Sequence, residues 1–302
     1  TQYLYRVGGD SVWSEWDYFT TAAAGTHDFS FLYFADAQHG LRTFYPRVIR
    51  EAYKRNGGAS FALFSGDLID RPQYDSLWYE FFDAGDIVHR TLPSVMVPGN
   101  HEYGKKNSGG SKDERGSLTG AWRVHFRLPK NGVPGLEETS YSFVYQGVLF
   151  VMLNGNDQLS EQAAWLEKLL SKNRLAWTIV TVHQPLYSMS KERDQRKTRN
   201  AFLPVFDKYS VDLVLQGHDH VYARSKRLKN GIVSAEGTVY VTSDAGSDAY
   251  RLNLLYADLM EKYGTNVQLY QVIALHQRTL TFTAFMANGK VYDSFTLMKE
   301  RK

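Results

Sequence analysis

The sequence predicts an α/β protein with mixed sheets and flanking helices. Three observations carry this. Between residues 28 and 216, short apolar runs alternate with amphipathic helical segments, the pattern of βαβ units and a largely parallel central sheet. From residue 269 onward, three period-two strands close the chain. Five of the apolar runs stop abruptly at residues able to bind a metal: Asp36/Gln38, Asp67/Asp70, Asn100/His101, His183 and His218/His220.

Composition narrows the function classes. The 302 residues, 43% of them hydrophobic, suffice for one large core with or without a small extra module. Lys and Arg number 35 against 32 Asp and Glu, a net charge of +3. That balance argues against a nucleic-acid or membrane-surface protein. The absence of cysteine excludes disulfides and thiolate metal sites, so a metal here has nitrogen and oxygen ligands. No run approaches the ~18 apolar residues of a transmembrane helix. The chain opens mid-strand at Gln2-Tyr-Leu-Tyr-Arg-Val without a Met, which reads as a processed or trimmed N-terminus.

Taken in order, Tyr3, Tyr5 and Val7 alternate, Gly8-Gly9 turns, and Trp13, Trp16, Tyr18 and Thr20 follow. Such a two-stranded hairpin is unstable alone and must pack on the main body or end a β-sandwich. Thr21–Gly25 is linker-like. Phe29–Phe34 reads as a strand buried on both faces, followed by an amphipathic helix over Leu41–Asn56 that stops at Gly57-Gly58. Phe61–Phe64 is a strand, Tyr74–His89 a helix, and Ser94–Val97 a third strand. Residues 103–135 show no strong periodicity at first, and Lys105–Gly120 is rich in Gly, Ser and Lys. A stretch of that length beside Asn100-His101 reads as a wall or lid of the site.

Beyond it, Ser140–Tyr145 and Val148–Leu153 flank Gln146-Gly147 as a hairpin. Ser160–Leu170 is a short helix with Ser160 as its cap. Trp177–Val182 is a buried strand ending at His183. Residues 191–200 read as a polar, basic segment and Ala201–Tyr209 as a helix. A strand from Val211 then ends at Gly217-His-Asp-His220, and Thr238–Thr242 ends at Ser243-Asp244. Leu269–Leu275, Leu280–Phe285 and Val291–Leu297 form an antiparallel meander.

Ligands in open α/β sheets bind outside the carboxyl ends of the strands. Any one of the five polar strand ends could be an ordinary turn or cap; five together read as a metal site. By itself, Gly217-His-Asp-His220 leaves open whether its imidazoles share one metal or serve two.

These motifs carry a resemblance. Asp36-x-Gln38, Gly66-Asp67, Gly99-Asn100-His101-Glu102, Val182-His183 and Gly217-His218-x-His220 follow, in order, the motif series of the calcineurin-like metallophosphoesterases. Thr139-Ser-Tyr-Ser-Phe, Phe150-Val-Met-Leu-Asn154 and Val291-Tyr-Asp-Ser-Phe295 resemble its purple-acid-phosphatase-like branch. The opening Tyr5-Arg-Val and Trp13-Ser-Glu-Trp are similar to the last strands of the fibronectin-III-like domain that precedes the catalytic domain there.

The resemblance implies a four-layer α/β/β/α sandwich over residues 25–302, with residues 1–24 the end of a truncated fibronectin-III-like β-sandwich. It implies a dinuclear centre. Asp67 would bridge two metals, Asp36 and His220 would hold the first, and Asn100, His183 and His218 the second, with Asp219 pointing away. The chemistry is coherent on its own terms. A carboxylate between two cations about 3.5–4 Å apart lets a bridging water ionise near neutral pH and attack phosphorus in line. His101 would protonate the departing alkoxide or bind the phosphate.

Two positions depart from the family pattern. Purple acid phosphatases carry an iron-ligating tyrosine three positions after the bridging Asp, where this chain has Asp70, so no tyrosinate colour is expected. The first motif of ordinary calcineurin-like enzymes is Asp-x-His, where this chain has Gln38, a ligand either directly or through water. Both changes suit Mn, Mg, Fe or Zn rather than one metal. His39 reads as a neighbour outside the ligand set.

Tyr103 and Tyr187 read as cleft or packing residues, and Arg199, with Arg193 and Arg196, as a phosphate clamp or a solvated basic loop. Asp70 and Asp244 read as partners of the ligands. His27, His89, His125 and His276 have no motif context and read as structural or surface. The expected function is phosphoester hydrolysis, with monoesters first and a phosphodiesterase or nucleotidase as the alternative. A non-catalytic phosphate- or glycan-binding module and a hydrolase of another bond remain further readings. The expected partner is a small phosphoester, without nucleic acid or a membrane span. An extracytoplasmic location follows from the resemblance and the β-sandwich remnant.

Overall fold

In the computed structural model, which describes residues 1–105 and 115–299, two mixed sheets pack face to face with helices on both outer surfaces. The first sheet has six strands, in the order Val291–Met298, Thr279–Met286, Leu269–His276, Phe29–Phe34, Ala62–Phe64 and Ser94–Met96. Its last three strands are parallel, and the C-terminal meander joins them antiparallel. The Phe29–Phe34 run is apolar throughout because both of its faces are covered. Phe31 and Tyr33 enter the core between the sheets, while Leu32 and Phe34 pack under the helices Tyr45–Arg55 and Asp75–Gly85.

The second sheet has seven strands, with Val148–Leu153, Trp177–Val182, Leu213–Gln216 and Val239–Thr242 parallel at its centre. Phe150, Met152, Ile179, Leu213 and Leu215 face the first sheet, and Val151, Val180 and Val214 face the helices Leu159–Lys172 and Arg196–Tyr209. The layers are therefore α/β/β/α. This is the expected four-layer order; the parallel strands form one edge of the first sheet and the centre of the second. Tyr222 and Arg224 of the second sheet bond to Asp293 of the first, at 2.7 Å for the tyrosine hydroxyl and 2.6 Å for Arg224 Nε.

Several elements differ from expectation, each for a local reason. The helix expected over 74–89 breaks at Asp86, where φ is 38°, giving Asp75–Gly85 and Ile87–Thr91. A Cβ on Gly85 would overlap the His89 ring, so the break brings that imidazole against the helix end. The helix expected from Ala201 begins at Arg196. Its basic face is exposed while Thr198 and Phe202 are buried, so polarity there marks a solvent side rather than a loop. Ser160 does not cap its helix. Gln158 takes that place in a left-handed conformation, and Gln162 folds back to donate to the Asn154 and Asp157 carbonyls.

The expected 103–135 wall contains a strand pair, Tyr103–Lys105 with Arg115–Leu118, and the helix Gly120–His125; residues 106–114 lie outside the described residues. The strands Tyr222–Ser225 and Met260–Gly264 at one sheet edge were not anticipated. The N-terminal ribbon pairs Gln2–Tyr5 with Asp17–Thr20. It docks through Tyr5 Oη to the Arg90 carbonyl (2.6 Å) and the Arg90–Asp17 ion pair (3.0 Å).

Candidate metal centre

The parallel strands of both sheets deliver their polar ends to one place. Three of the residues there hold left-handed backbones that side chains disfavour: Asp36 at φ 52°, Asp67 at 50° and His218 at 69°. Cross-links between the loops hold these conformations. Both Asp36 oxygens accept the His218 N–H, at 2.9 and 2.8 Å, and Asp67 Oδ1 accepts the His101 N–H at 2.8 Å. The buried Glu102 carboxylate accepts three backbone N–H groups, from Asp67 (3.0 Å), Leu68 (2.8 Å) and Gly99 (2.7 Å). Two glycines permit the close approach: a Cβ on Gly217 would overlap Asp36 Oδ2, and one on Gly99 would overlap Asp67 Oδ1.

Two groups of donor atoms result. In one, His183 Nε2 lies 3.1 Å from Asp67 Oδ2, 3.3 Å from Asn100 Oδ1 and 3.2 Å from His218 Nδ1. In the other, His220 Nε2 lies 3.6 Å from Asp36 Oδ1. Gln38 joins them. With its amide nitrogen turned to Asp67 it donates to Oδ2 at 3.1 Å, and its carbonyl oxygen then sits 3.4 Å from His220 Nε2. Each imidazole is oriented from behind. His183 donates from Nδ1 to the Ser65 carbonyl (2.8 Å), which leaves the Nε2 lone pair facing the cluster. His218 Nε2 lies 3.0 Å from the Gln195 amide, and the His220 ring stacks on Tyr250 at 4.4 Å between centroids.

The charge balance fits cations. Asp36, Asp67, Glu102, Asp219 and Asp244 are all buried. Burial and the Asp67 charge push the Asp36 carboxyl well above the usual range and Glu102 up to about 7. Burial acts on Asp67 in the same direction, but the His183, His101 and His218 imidazoles outweigh it and hold that carboxyl far below the usual range. Burial pushes His220 down to about 3, so its imidazole is neutral. The Asp67, His183 and His218 donor atoms all lie within 4.8 Å of one another, and a pair of divalent cations would offset the carboxylates crowded around them. The residues present therefore fit a metal centre with oxygen and nitrogen ligands.

His101 stands at the mouth, with Nε2 4.0 Å from Asp67 Oδ2 and Nδ1 donating to the Asp70 carbonyl (2.8 Å). Asp70 also pairs with Arg71 at 3.0 Å. Tyr103 is buried beside the cluster's loops, and its hydroxyl accepts from Asn154 at 2.6 Å. Asp244 accepts its own loop's Gly246 N–H (2.8 Å) and touches no ligand side chain in the described contacts. Asp219 turns away to accept the Ser188 hydroxyl (2.6 Å).

Tyr187 and Arg199 do not reach the cleft. The Tyr187 ring packs on Tyr240 and Tyr256 in the helix layer, and Arg199 bonds Asp194 (2.6 Å) and the Leu186 carbonyl (2.8 Å). Sequence reasoning assigned no role to Glu102, Gln195 or Asp248. Glu102 sits inside the Gly99–Glu102 motif, so its position was visible and its three backbone partners were not. His39, read as a neighbour of the ligands, pairs with Asp248 at 3.4 Å.

A family model for calcineurin-like phosphoesterases matches residues 29–222. Purple acid phosphatase 23 of Arabidopsis thaliana is 28% identical over 217 residues, covering 68% of this chain and 46% of that protein. Purple acid phosphatase 18 of the same plant is 29% identical over 204 residues, covering 65% and 45%. The chain thus spans about half the length of these curated relatives. Among solved structures, a purple acid phosphatase from yellow lupin (Lupinus luteus) seeds superposes with a TM-score of 0.82 at 19% identity, covering 98% of this chain and 59% of that one. PhoD follows at 0.74 and 12%, covering 99% and 76%. These superpositions establish the fold. No described helix is long and apolar enough to cross a membrane.

Proposed function

This chain belongs to the calcineurin-like phosphoesterase family, with purple acid phosphatases among its homologues, and from that premise we propose that it hydrolyses small phosphomonoesters at a dinuclear metal centre. The observation that carries the reading is the shared position of Asp67. Its Oδ2 lies 3.1 Å from both His183 Nε2 and the Gln38 amide, and so joins the two donor groups. Asn100, His183 and His218 would hold one metal, Asp36, Gln38 and His220 the other, and Asp67 would serve both. Bound there, two cations supply Lewis-acid charge to the phosphoryl oxygens and acidify the attacking water.

The chain's own residues orient and protonate. Ser65 and Gln195 fix the ring orientations of His183 and His218. Glu102 holds the Asp67 and Gly99 loops at a fixed separation. His101, anchored by Asp70 through Nδ1, keeps its Nε2 proton towards the cluster and delivers it to the departing alkoxide. Asp70 is engaged by Arg71 and His101, which supports a centre without a tyrosinate ligand; its oxygen and nitrogen donors would suit Mn, Mg, Fe(II) or Zn.

Metal-reconstituted protein assayed on p-nitrophenyl phosphate and bis-p-nitrophenyl phosphate tests the reading, with elemental analysis alongside. Faster monoester turnover is expected. Diester turnover at least as fast overturns the monoester assignment in favour of a diesterase, and metal binding without turnover of either ester favours a binding module.

A further inference from the structure

A cavity of about 390 Å³ opens beside the metal-facing residues Gln38 and Asp70, within the range of small-ligand sites. It runs from the entry of the Tyr45–Arg55 helix, at Gly40-Leu41, to the first turns of the Asp75–Gly85 helix. Its inner end is continuous with the chemistry: Gln38 touches Asp67 and His220, and Asp70 anchors His101. His39 stands at the junction. Its ring centroid is 6.4 Å from that of His101 and 6.2 Å from that of His220, and its Nε2 is 3.4 Å from Asp248 Oδ2. With Nε2 directed to Asp248, the other ring nitrogen is left for a ligand.

The lining selects by charge. Arg71 is paired with Asp70 at 3.0 Å, and Glu80 is paired with Arg42 at 2.9 Å. Arg71, the guanidinium of the lining, is therefore already committed to Asp70, and the lining carboxylates Asp70 and Glu80 disfavour a second phosphate. Tyr74 is half exposed and offers a ring face, and Leu41 and Leu77 add apolar surface.

We infer that this cavity receives the alcohol part of the ester, with a preference for a neutral, ring-bearing alcohol, and that His39, oriented by Asp248, bonds the ester at the cavity mouth. The inference rests on the phosphomonoesterase reading and names its substrate class.

Benzyl phosphate and methyl phosphate test it, because their alcohols have nearly equal acidity and differ in size. The metal-loaded full chain is compared with Ser76→Trp, which fills the cavity from an exposed helix position, and with Tyr74→Ala and His39→Ala. Ser76→Trp is expected to raise KM for benzyl phosphate about tenfold and leave methyl phosphate unchanged. Tyr74→Ala is expected to act in the same direction more weakly. His39→Ala is expected to lower kcat/KM for benzyl phosphate about tenfold at unchanged metal content, with partial recovery in His39→Gln. Equal shifts for both esters in Ser76→Trp, or none, overturn the cavity assignment while leaving the phosphoesterase reading intact. Loss of a metal equivalent in His39→Ala overturns the role given to His39. An unmodified protein that turns over neither ester overturns the phosphoesterase reading and this inference together.

Discussion

His101 donates from Nδ1 to the Asp70 carbonyl at 2.8 Å, and the same nitrogen lies 3.2 Å from the Asp70 carboxylate. The aspartate that stands where the family's purple branch has a tyrosine is thus the anchor of the imidazole at the site mouth. His101→Ala is expected to lower kcat/KM on a monoester by about 10²–10⁴-fold without changing metal stoichiometry. Asp70→Asn keeps the carbonyl and loses the carboxylate, so it should cost only severalfold. Metal loss in either variant would move these residues into the ligand set.

His218 and His220 are two positions apart and serve different donor groups, because His218 Nδ1 meets His183 while His220 Nε2 meets Asp36 and Gln38. Each alanine variant is expected to lose one metal equivalent of two, and the double variant both. Elemental analysis checks this. A double variant that loses no more than either single one would place both imidazoles on the same ion.

Glu102 has no solvent exposure and accepts three backbone N–H groups that no other described group satisfies in the same way. Glu102→Gln turns an acceptor into an amide donor facing those N–H groups. The expected cost is about 1–3 kcal/mol in urea unfolding, with weaker metal retention against a chelator. Unchanged stability would show that the loops hold their positions without it.

His89 Nε2 is buried without a partner and its ring sits among Phe64, Phe81 and Phe82, although part of the residue reaches solvent. Burial pushes its pKa down to about 4, below the ordinary histidine value of about 6.5. The unfolded chain therefore binds this proton more readily than the native one. Stability is fully retained above the unfolded pKa and falls as pH drops towards 4, by up to about 3 kcal/mol. His89→Leu is expected to flatten that part of the stability curve between pH 6.5 and 4, measured by denaturant unfolding. A curve unchanged in this window would mean that the ring does not titrate with folding.

The strand ends were legible because a buried strand must be apolar and its stop is abrupt. Trp177–Val182 followed by His183 shows this without any tertiary information. Tyr187 and Arg199 were not placeable, since a few residues past the strand end the chain turns behind the sheet, where Tyr187 meets Tyr240 and Arg199 meets Asp194. The Asp86 break was hidden because the helical periodicity continues through it. The partners Gln195, Asp248 and Ser65 carry no local signal: each acts on a residue from a distant part of the chain.

By itself, the sequence determined the α/β elements, their order, and the carboxylates, amides and imidazoles delivered at their ends. Periodicity and strand termination are local properties, written into consecutive residues. Only the tertiary structure decided how those donors divide, which nitrogen each imidazole presents, and that Gln38 and Asp67 stand between the two groups. Those facts depend on two sheets packing face to face, with His218 N–H on the Asp36 carboxylate across 182 positions of sequence. Gly99 and Gly217 leave the space in which that approach can happen.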